Sequence, residues 1–450
     1  MPIQSKNPYT GEVLTTYSEA SSQLVENAIE KAHFTFQTWK AKPLEYRVNL
    51  LLRLAEVLEK DTEALARLMA LEMGKVLADG RAEIEKCAAC CRYYAQHAAD
   101  FLKDKALAAP HGKAYVQYEP LGVILAVMPW NFPFWQVFRF AAPHIVSGNT
   151  ALLKHASNVP QCALAIADCF TKAGFPSGVF QTLLIPSSSV PAILADERVR
   201  GVSLTGSEEA GKSVAAEAAR NLKKSVLELG GSDAFVVLDA TNLGHVVQMA
   251  AKSRLVNMGQ SCIAAKRFIV HESVYENFVS QLKGIFKSVR IQDPLQEGST
   301  YGPMAQAHLA EELNQQVKQS VQMGAEQIGV GYLGEAIFQP SILLGVKEGM
   351  PAWEEELFGP VASVRSFSTV EEAIHLANDS RFGLGGSVWG QVEKAESVAR
   401  QIHSGAVYVN QMMASHPAIP FGGVKHSGYG KELSESGLWE FTNAKSIWVA

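Results

Sequence analysis

Little in this chain is extreme, and each thing it lacks removes a class of function. Six cysteines in 450 residues are too few for a disulfide-stapled secreted scaffold. Lys and Arg together number 40 against 45 Asp and Glu, a formal net charge of -5. No basic surplus is therefore available to hold nucleic acid or an anionic membrane. The longest apolar run, "LGVILAVMPWNFPFW", is broken by Pro129 and Asn131 and is shorter than a membrane span. The opening "MPIQSKNPYTGE" carries no basic-plus-apolar export signal, so a reducing cytoplasm is the expected compartment. No low-complexity stretch or repeated unit stands out. What is present is an ordinary folding composition, 47% hydrophobic and 19% charged, in a chain long enough for several domains.

Three of the cysteines, Cys87, Cys90 and Cys91, crowd into "CAACC" within the helical run "GRAEIEKCAACCRYYAQHAADFLK". No second Cys or His cluster is there to complete a structural zinc, so they read as helix residues and no metal is expected. The first hundred residues as a whole look helical, with apolar residues returning every three or four positions. A half-exposed strand, "AYVQYEP", and a doubly buried one, "GVILAVM", follow. A βα rhythm then repeats through "TALLKHA", "FQTLLIP", "VRGVSLTG" and "KSVLELGG", which indicates a parallel sheet covered by helices. After Gly231 the rhythm restarts with "AFVVLD", "KRFIVHESV", "PSILLGV" and "AVYVN", a second α/β domain. The alternating "EFTNAKSIWVA" near the end needs a sheet edge, on this or another subunit.

Two motif matches require weighing. "GVGYLG", Gly329 to Gly334, fits the dinucleotide pattern, but it neither follows a clear strand nor opens a helix and is a chance match. "GSEEAGKS", Gly206 to Ser213, fits the phosphate-loop pattern between a strand and a helix. A nucleotide hydrolase using Lys212 and Ser213 is thus a rival reading. Against it, Glu208 and Glu209 would repel a triphosphate, whereas a helix starting near Ser207 could offer its N-terminus to a diphosphate.

Three segment ends carry more chemistry. "PWNFPFW" places Asn131 at a strand's carboxyl end, "LELGG" does the same for Glu228, and "NMGQSCIAAKR" presents Cys262 after a turn. A lone cysteine is most often a small core residue. An amide, a carboxylate and a thiol at such ends are, however, the parts for covalent chemistry on a carbonyl.

The combination "PWN", "KHAS", "LTGS", "LELGG", "GQSC", "EEELFGP", "FGLGGSVW" and "PFGGVKHSGYGKE" resembles the aldehyde dehydrogenase superfamily over nearly the whole chain. Within it the chain looks closest to the bacterial succinate-semialdehyde dehydrogenases. The resemblance implies a Rossmann-type cofactor-binding domain (residues 1–103 and 120–230, with 424–437 returning to it) and an α/β catalytic domain (231–423). It adds a small strand-based oligomerisation element (104–119 and 438–450), and hence a homodimer or homotetramer. The chain begins close to its first helices, as a short bacterial form would. Cys262 matches the nucleophile that forms a thiohemiacetal, and Asn131 the amide that steadies the oxyanion. Hydride passes to the nicotinamide, and Glu228 matches the base that activates water against the resulting thioester. Its presence argues against the coenzyme-A-acylating branch. No cysteine adjoins Cys262, which leaves it open to oxidation.

The same resemblance sets Trp130 and Ser207 beside the pyrophosphate, with Gly206 and Gly211 keeping the helix close. Lys154 matches the lysine on the adenosine ribose, and Glu356 and Phe358 hold the nicotinamide end. NAD-specific members commonly carry a glutamate three residues after that lysine; here Ser157 stands in its place. Its absence removes a repulsion of about 1 to 4 kcal/mol towards a 2'-phosphate, so NADP is expected to be preferred, with NAD still usable.

For the aldehyde, Trp135 and Arg139 fall four apart on one helix face, and a guanidinium among Phe138, Phe140 and Ala141 needs an acceptor. Either the substrate's far carboxylate or an internal acid would serve. The first choice makes Arg139 the selector of a carboxylated aldehyde, with Phe132, Trp135 and Gln136 shaping the middle and Ser261, Ser415 or His416 completing the site. Succinic semialdehyde fits best, glutaric semialdehyde and a broad range staying open. A noncatalytic scaffold that kept the fold is the remaining rival.

Overall fold

The computed structural model describes residues 2–239 and 241–450. Two parallel-strand sheets dominate it. The first has six strands in the order Gly428–Tyr429, Lys224–Glu228, Val199–Thr205, Val123–Met128, Thr150–His155 and Phe180–Thr182. All neighbours in it run parallel except the short Gly428–Tyr429 strand. Its central strands, "VILAVM" and "TALLKH", are apolar without alternation because helices cover both faces. The second sheet has seven strands, with Ala234–Val237 between Arg267–His271 and Gly385–Trp389. This is the α/β architecture expected from the repeated βα rhythm.

A third sheet stands apart. Thr442–Val449 lies antiparallel along Lys113–Pro120 for eight residue pairs, with Lys105–Leu107 on the other side. The alternating terminal segment thus finds its edge within its own chain, and Trp448 and Leu107 remain exposed on the sheet.

The expectation of helix throughout the first hundred residues fails at its start. Ile3–Lys6 and Val13–Tyr17 form an antiparallel hairpin before the helix Ser22–Trp39 begins. The polar residues in "IQSK" and "VLTTY" hide the strand pattern. Asn7 makes the turn, its side-chain oxygen accepting the N–H groups of Tyr9 and Thr10. Four helices then follow, ending in Leu77–Phe101, in which Cys87, Cys90 and Cys91 are buried. Around Gly329 the match does follow a strand, Glu326–Gly329, contrary to the sequence reading, but it leads into the strand Tyr332–Gly334 and opens no helix, so the dinucleotide pattern still fails.

Candidate active site

In the six-stranded sheet the chain order reverses between Val123–Met128 and Val199–Thr205, and the crevice beyond their carboxyl ends is where open sheets bind ligands. Trp130 and Asn131 follow the first strand, Gly206 and Ser207 the second, and Glu228 ends the third, in register with Thr205. Cys262 approaches from the other sheet. Together with Gln136, Glu356 and Phe358, these residues line one cavity of about 260 Å³.

The approach to Cys262 is a bent loop that polar side chains hold in place. Asn257 and Met258 both have left-handed backbones (φ 52° and 55°), which non-glycine residues adopt at a cost. Asn257 Nδ2 donates to the carbonyls of Asn131 (2.7 Å) and Gln260 (3.2 Å), while Gln260 Oε1 accepts the Ala305 N–H. Asn131 Nδ2 in turn donates to the Gln260 carbonyl at 3.1 Å, which puts the amide beside the cysteine loop. Lys266, fully buried, donates to the carbonyls of Ser261 and Cys262 at 2.7 Å each. It also pairs with Glu356 at 3.2 Å, and the same Glu356 oxygen accepts the Gly231 N–H. A Cβ at Gly231 would lie 2.8 Å from the Cys262 carbonyl oxygen, so only glycine allows this approach. Burial pushes the Cys262 thiol up to about 12, against the opposing pull of Arg139 and Lys266.

Glu228 is 2% exposed, and neither carboxylate oxygen has a hydrogen-bond partner among the described residues. Burial raises its pKa well above the carboxylate range and the nearby Glu432 adds to that; Arg139 and Lys431 work against it. Arg139 itself corrects the first of the two readings given to it. Its guanidinium is buried in an ion pair with Glu432, bonds Thr205 Oγ1 at 3.1 Å and stacks under Phe421. The charge is spent inside the protein because a guanidinium 1% exposed among phenylalanines requires a fixed acid partner. Glu432 stands in the quoted "GYGKE" segment, but its place opposite Arg139 depends on a fold-back that no local pattern reveals.

The residues assigned to the cofactor, Gly211 apart, line two spaces. Lys154 and Ser157 line a cavity of about 910 Å³ with Asn158, and the hairpin missed in the sequence supplies part of its wall. Lys154 is 7% exposed, makes no ion pair among the described residues, and has its pKa lowered by burial. Asn158 Nδ2, one residue beyond Ser157, is buried without a partner among the described residues. A buried lysine and an unsatisfied amide donor suit ribose hydroxyls and phosphate. At Gly211 a Cβ would collide with Leu229 (2.6 Å), so this glycine does set the helix close. At Gly206 the nearest atom would be 3.7 Å away, and the room it leaves belongs to the smaller cavity. Ser207 caps the helix Glu208–Arg220, leaving its N-terminus beside that cavity, and Trp130 meets Phe358 edge-on at 5.8 Å. These residues fit a dinucleotide. The phosphate-loop reading fares worse: Lys212 turns back onto Glu208 (2.5 Å), whose carboxylate also gathers His426 and Arg381.

The residues assigned to the aldehyde divide. Gln136 lines the catalytic cavity. Trp135 and Ser415 meet, the indole N–H donating to Ser415 Oγ at 3.1 Å, and Phe132 lies under the Lys75 ammonium at 3.9 Å. Ser261 is buried beside Cys262. His416 is not brought to the group; it is exposed and its ring accepts the Ala418 N–H within its own loop.

Residues 1–447 match the model of the aldehyde dehydrogenase family. The chain belongs to that family. It is 46% identical over the full length of both chains to a probable succinate-semialdehyde dehydrogenase [NADP(+)] of Synechocystis sp.. It is 45% identical, again over both full lengths, to succinate-semialdehyde dehydrogenase [NADP(+)] 1 of Mycobacterium tuberculosis. Among solved structures, the succinic semialdehyde dehydrogenase of Streptococcus pyogenes in complex with NADP+ superposes with a TM-score of 0.97. That protein is 39% identical, with 99% of each chain covered. As a member of the aldehyde dehydrogenase family, the chain performs nicotinamide-dependent oxidation of an aldehyde, and the cavity holding Cys262 is where its geometry allows it.

Proposed function

We propose that this protein oxidises succinic semialdehyde to succinate, with NADP preferred over NAD. The observation that carries the reading is the convergence of Cys262, Asn131 and Glu228 on one small cavity, next to a space lined by Lys154 and Ser157. The substrate and cofactor named for the full-length relatives support it. So does the absence of any carboxylate three residues after Lys154, where it would face a 2'-phosphate.

The chain's own groups divide the work. Cys262 Sγ adds to the aldehyde carbon, and its proton must leave, since a thiol held near 12 is protonated at neutral pH. Glu228 faces the same cavity and in its ionised form is the acceptor at hand; burial, by raising its pKa, makes that form scarcer but more basic than a free carboxylate. The Asn131 amide steadies the negative oxygen, and losing such a donor typically costs about 3 kcal/mol. The nicotinamide, when bound, accepts the hydride. The acyl group then rests on Cys262 Sγ as a thioester; Glu228, having passed the thiol's proton to solvent, takes a proton from the attacking water and returns it to the departing sulfur, which releases the acid and restores the thiol.

All six cysteines are unpaired, which favours a reducing compartment such as the cytoplasm. Among the described residues no helix is long and apolar enough to cross a membrane. The exposed three-stranded sheet favours self-association into a dimer or tetramer. The test is a spectrophotometric panel of succinic, glutaric and uncharged short aldehydes with both cofactors. The highest kcat/KM is expected for succinic semialdehyde with NADP, and Cys262→Ser should turn over below a thousandth of that rate, about the scale lost with a nucleophile. Full turnover by Cys262→Ser, or an uncharged aldehyde as the best substrate, contradicts the proposal.

A further inference from the structure

With Arg139 committed to Glu432, the far carboxylate of the substrate needs another cation. The long helix Leu77–Phe101 supplies one. Lys86 projects from it onto the helix that begins at Trp135, its ammonium 4.1 Å from the centre of the Trp135 ring and 2.8 Å from Ser415 Oγ. Among the described residues no carboxylate pairs with it. The nearest acid on its own helix, Glu83, is fully engaged: Oε1 accepts the N–H groups of Phe134 and Trp135 at 2.9 Å each, and Oε2 pairs with Lys75. An ammonium taken largely out of water without a counter-charge is unfavourable unless a ligand completes it.

Ser415 adds a second constraint. Its oxygen accepts from Lys86 and from the Trp135 indole N–H, which occupies both lone pairs. The hydroxyl proton is the only hydrogen-bonding capacity it has left, so the pair presents a positive charge and a fixed donor. An acceptor-only anion is the complement. The position suits a short substrate as well. Trp135 opens the helix four residues beyond Asn131, and the end carbons of an extended four-carbon chain are only about 4 Å apart. Trp135 also shares a packed cluster with Met413, against which Cys262 and Ile263 rest.

We propose that Lys86, together with Ser415, binds the carboxylate at the far end of the aldehyde and so determines specificity for semialdehyde acids. This rests on the reading given above and assigns its selector. The groups around the ammonium are Glu83, Cys87 and Cys90 on its own helix, Arg139 on the facing helix, and the uncharged Ser415 and Trp135. Burial, with Arg139 second, lowers Lys86 to about 8. The protonated, binding form is therefore lost as pH rises through about 8.

The experiment compares kcat/KM for succinic semialdehyde and for butanal in wild type, Lys86→Met and Lys86→Arg. The ratio of the two should fall about 10- to 100-fold in Lys86→Met, the range of a charge-assisted hydrogen bond, and be largely restored in Lys86→Arg. In wild type, KM for the acid should rise from pH 7 to pH 9 while that for butanal does not, and Lys86→Arg should flatten the rise. A wild-type preference for the acid that survives intact in Lys86→Met overturns the role of Lys86 alone. Equal loss toward both aldehydes in Lys86→Met does the same. No wild-type preference for the acid overturns both this role and the substrate reading beneath it.

Discussion

In the proposed reading, single side chains rather than the fold decide between the two cofactors. Ser157 is exposed at the cavity that Lys154 also lines, and in the proposed reading it takes the spot from which a carboxylate would oppose a 2'-phosphate. Ser157→Glu should lower kcat/KM for NADP at least about tenfold and leave NAD comparatively unaffected, as read from steady-state kinetics with each cofactor. An unchanged preference would mean that Asn158 or Lys154 alone sets it. Residue identity was also the level most legible in the sequence, because Glu228 ends one plainly apolar strand, Asn131 closely follows another, and Cys262 follows a Gly-Gln-Ser turn. Pairings were another matter. Whether Arg139 faces a ligand or an acid depends on Glu432, which comes near only when the chain folds back, and the sequence spacing between them carries no trace of that contact.

Among the elements, the helix Trp135–Val146 matters most, since its first turn follows Asn131 and carries Trp135. Its N-terminus begins at Phe134 without a side-chain cap from its own segment. Glu83, from the long helix beside it, accepts two of the free N–H groups and neutralises Lys75 at once. Removing that carboxylate orphans a buried ammonium and two donors. Glu83→Ala should lower the unfolding free energy by about 3 kcal/mol in urea titrations. Glu83→Gln, which keeps an acceptor, should cost less. A loss under about 0.5 kcal/mol in Glu83→Ala would show that water replaces the contact without penalty. Such cross-helix caps explain why periodicity located the helices but not what fixes their ends. The opening hairpin escaped for a related reason: its polar strands are stabilised by an Asn7 turn and by packing, not by an apolar alternation.

For the molecule as a whole, buried histidines couple stability to acidity. His155 has a defined neutral tautomer, Nδ1 accepting the Ala156 N–H and Nε2 donating to the Pro133 carbonyl, each at 2.9 Å. A second proton on Nδ1 would confront that N–H, and burial lowers the pKa to about 4; His144 is lowered to about 3 for the same first reason. A depressed histidine contributes stability that is present above the unfolded value of about 6.5 and lost as pH falls toward its folded value. Carboxyls raised by burial, Asp233 to about 6 among them, act in the opposite sense, so the informative quantity is a difference. Between pH 7 and pH 5 the loss of unfolding free energy should be smaller in His155→Gln than in wild type by up to about 2 kcal/mol. Equal losses would place the proton elsewhere.

The packing of Phe441 has a consequence for biosynthesis. Its ring is wholly buried against His144 and Phe140, its carbonyl accepts from Asn149 and Leu121, and Leu433 and Leu438 join the same core. A ribosome that has already released the nucleotide-binding strands must still translate some two hundred codons before that core can close. At about 5–20 residues per second, the nascent half-domain waits tens of seconds with its apolar interior unsealed, within reach of chaperones and proteases.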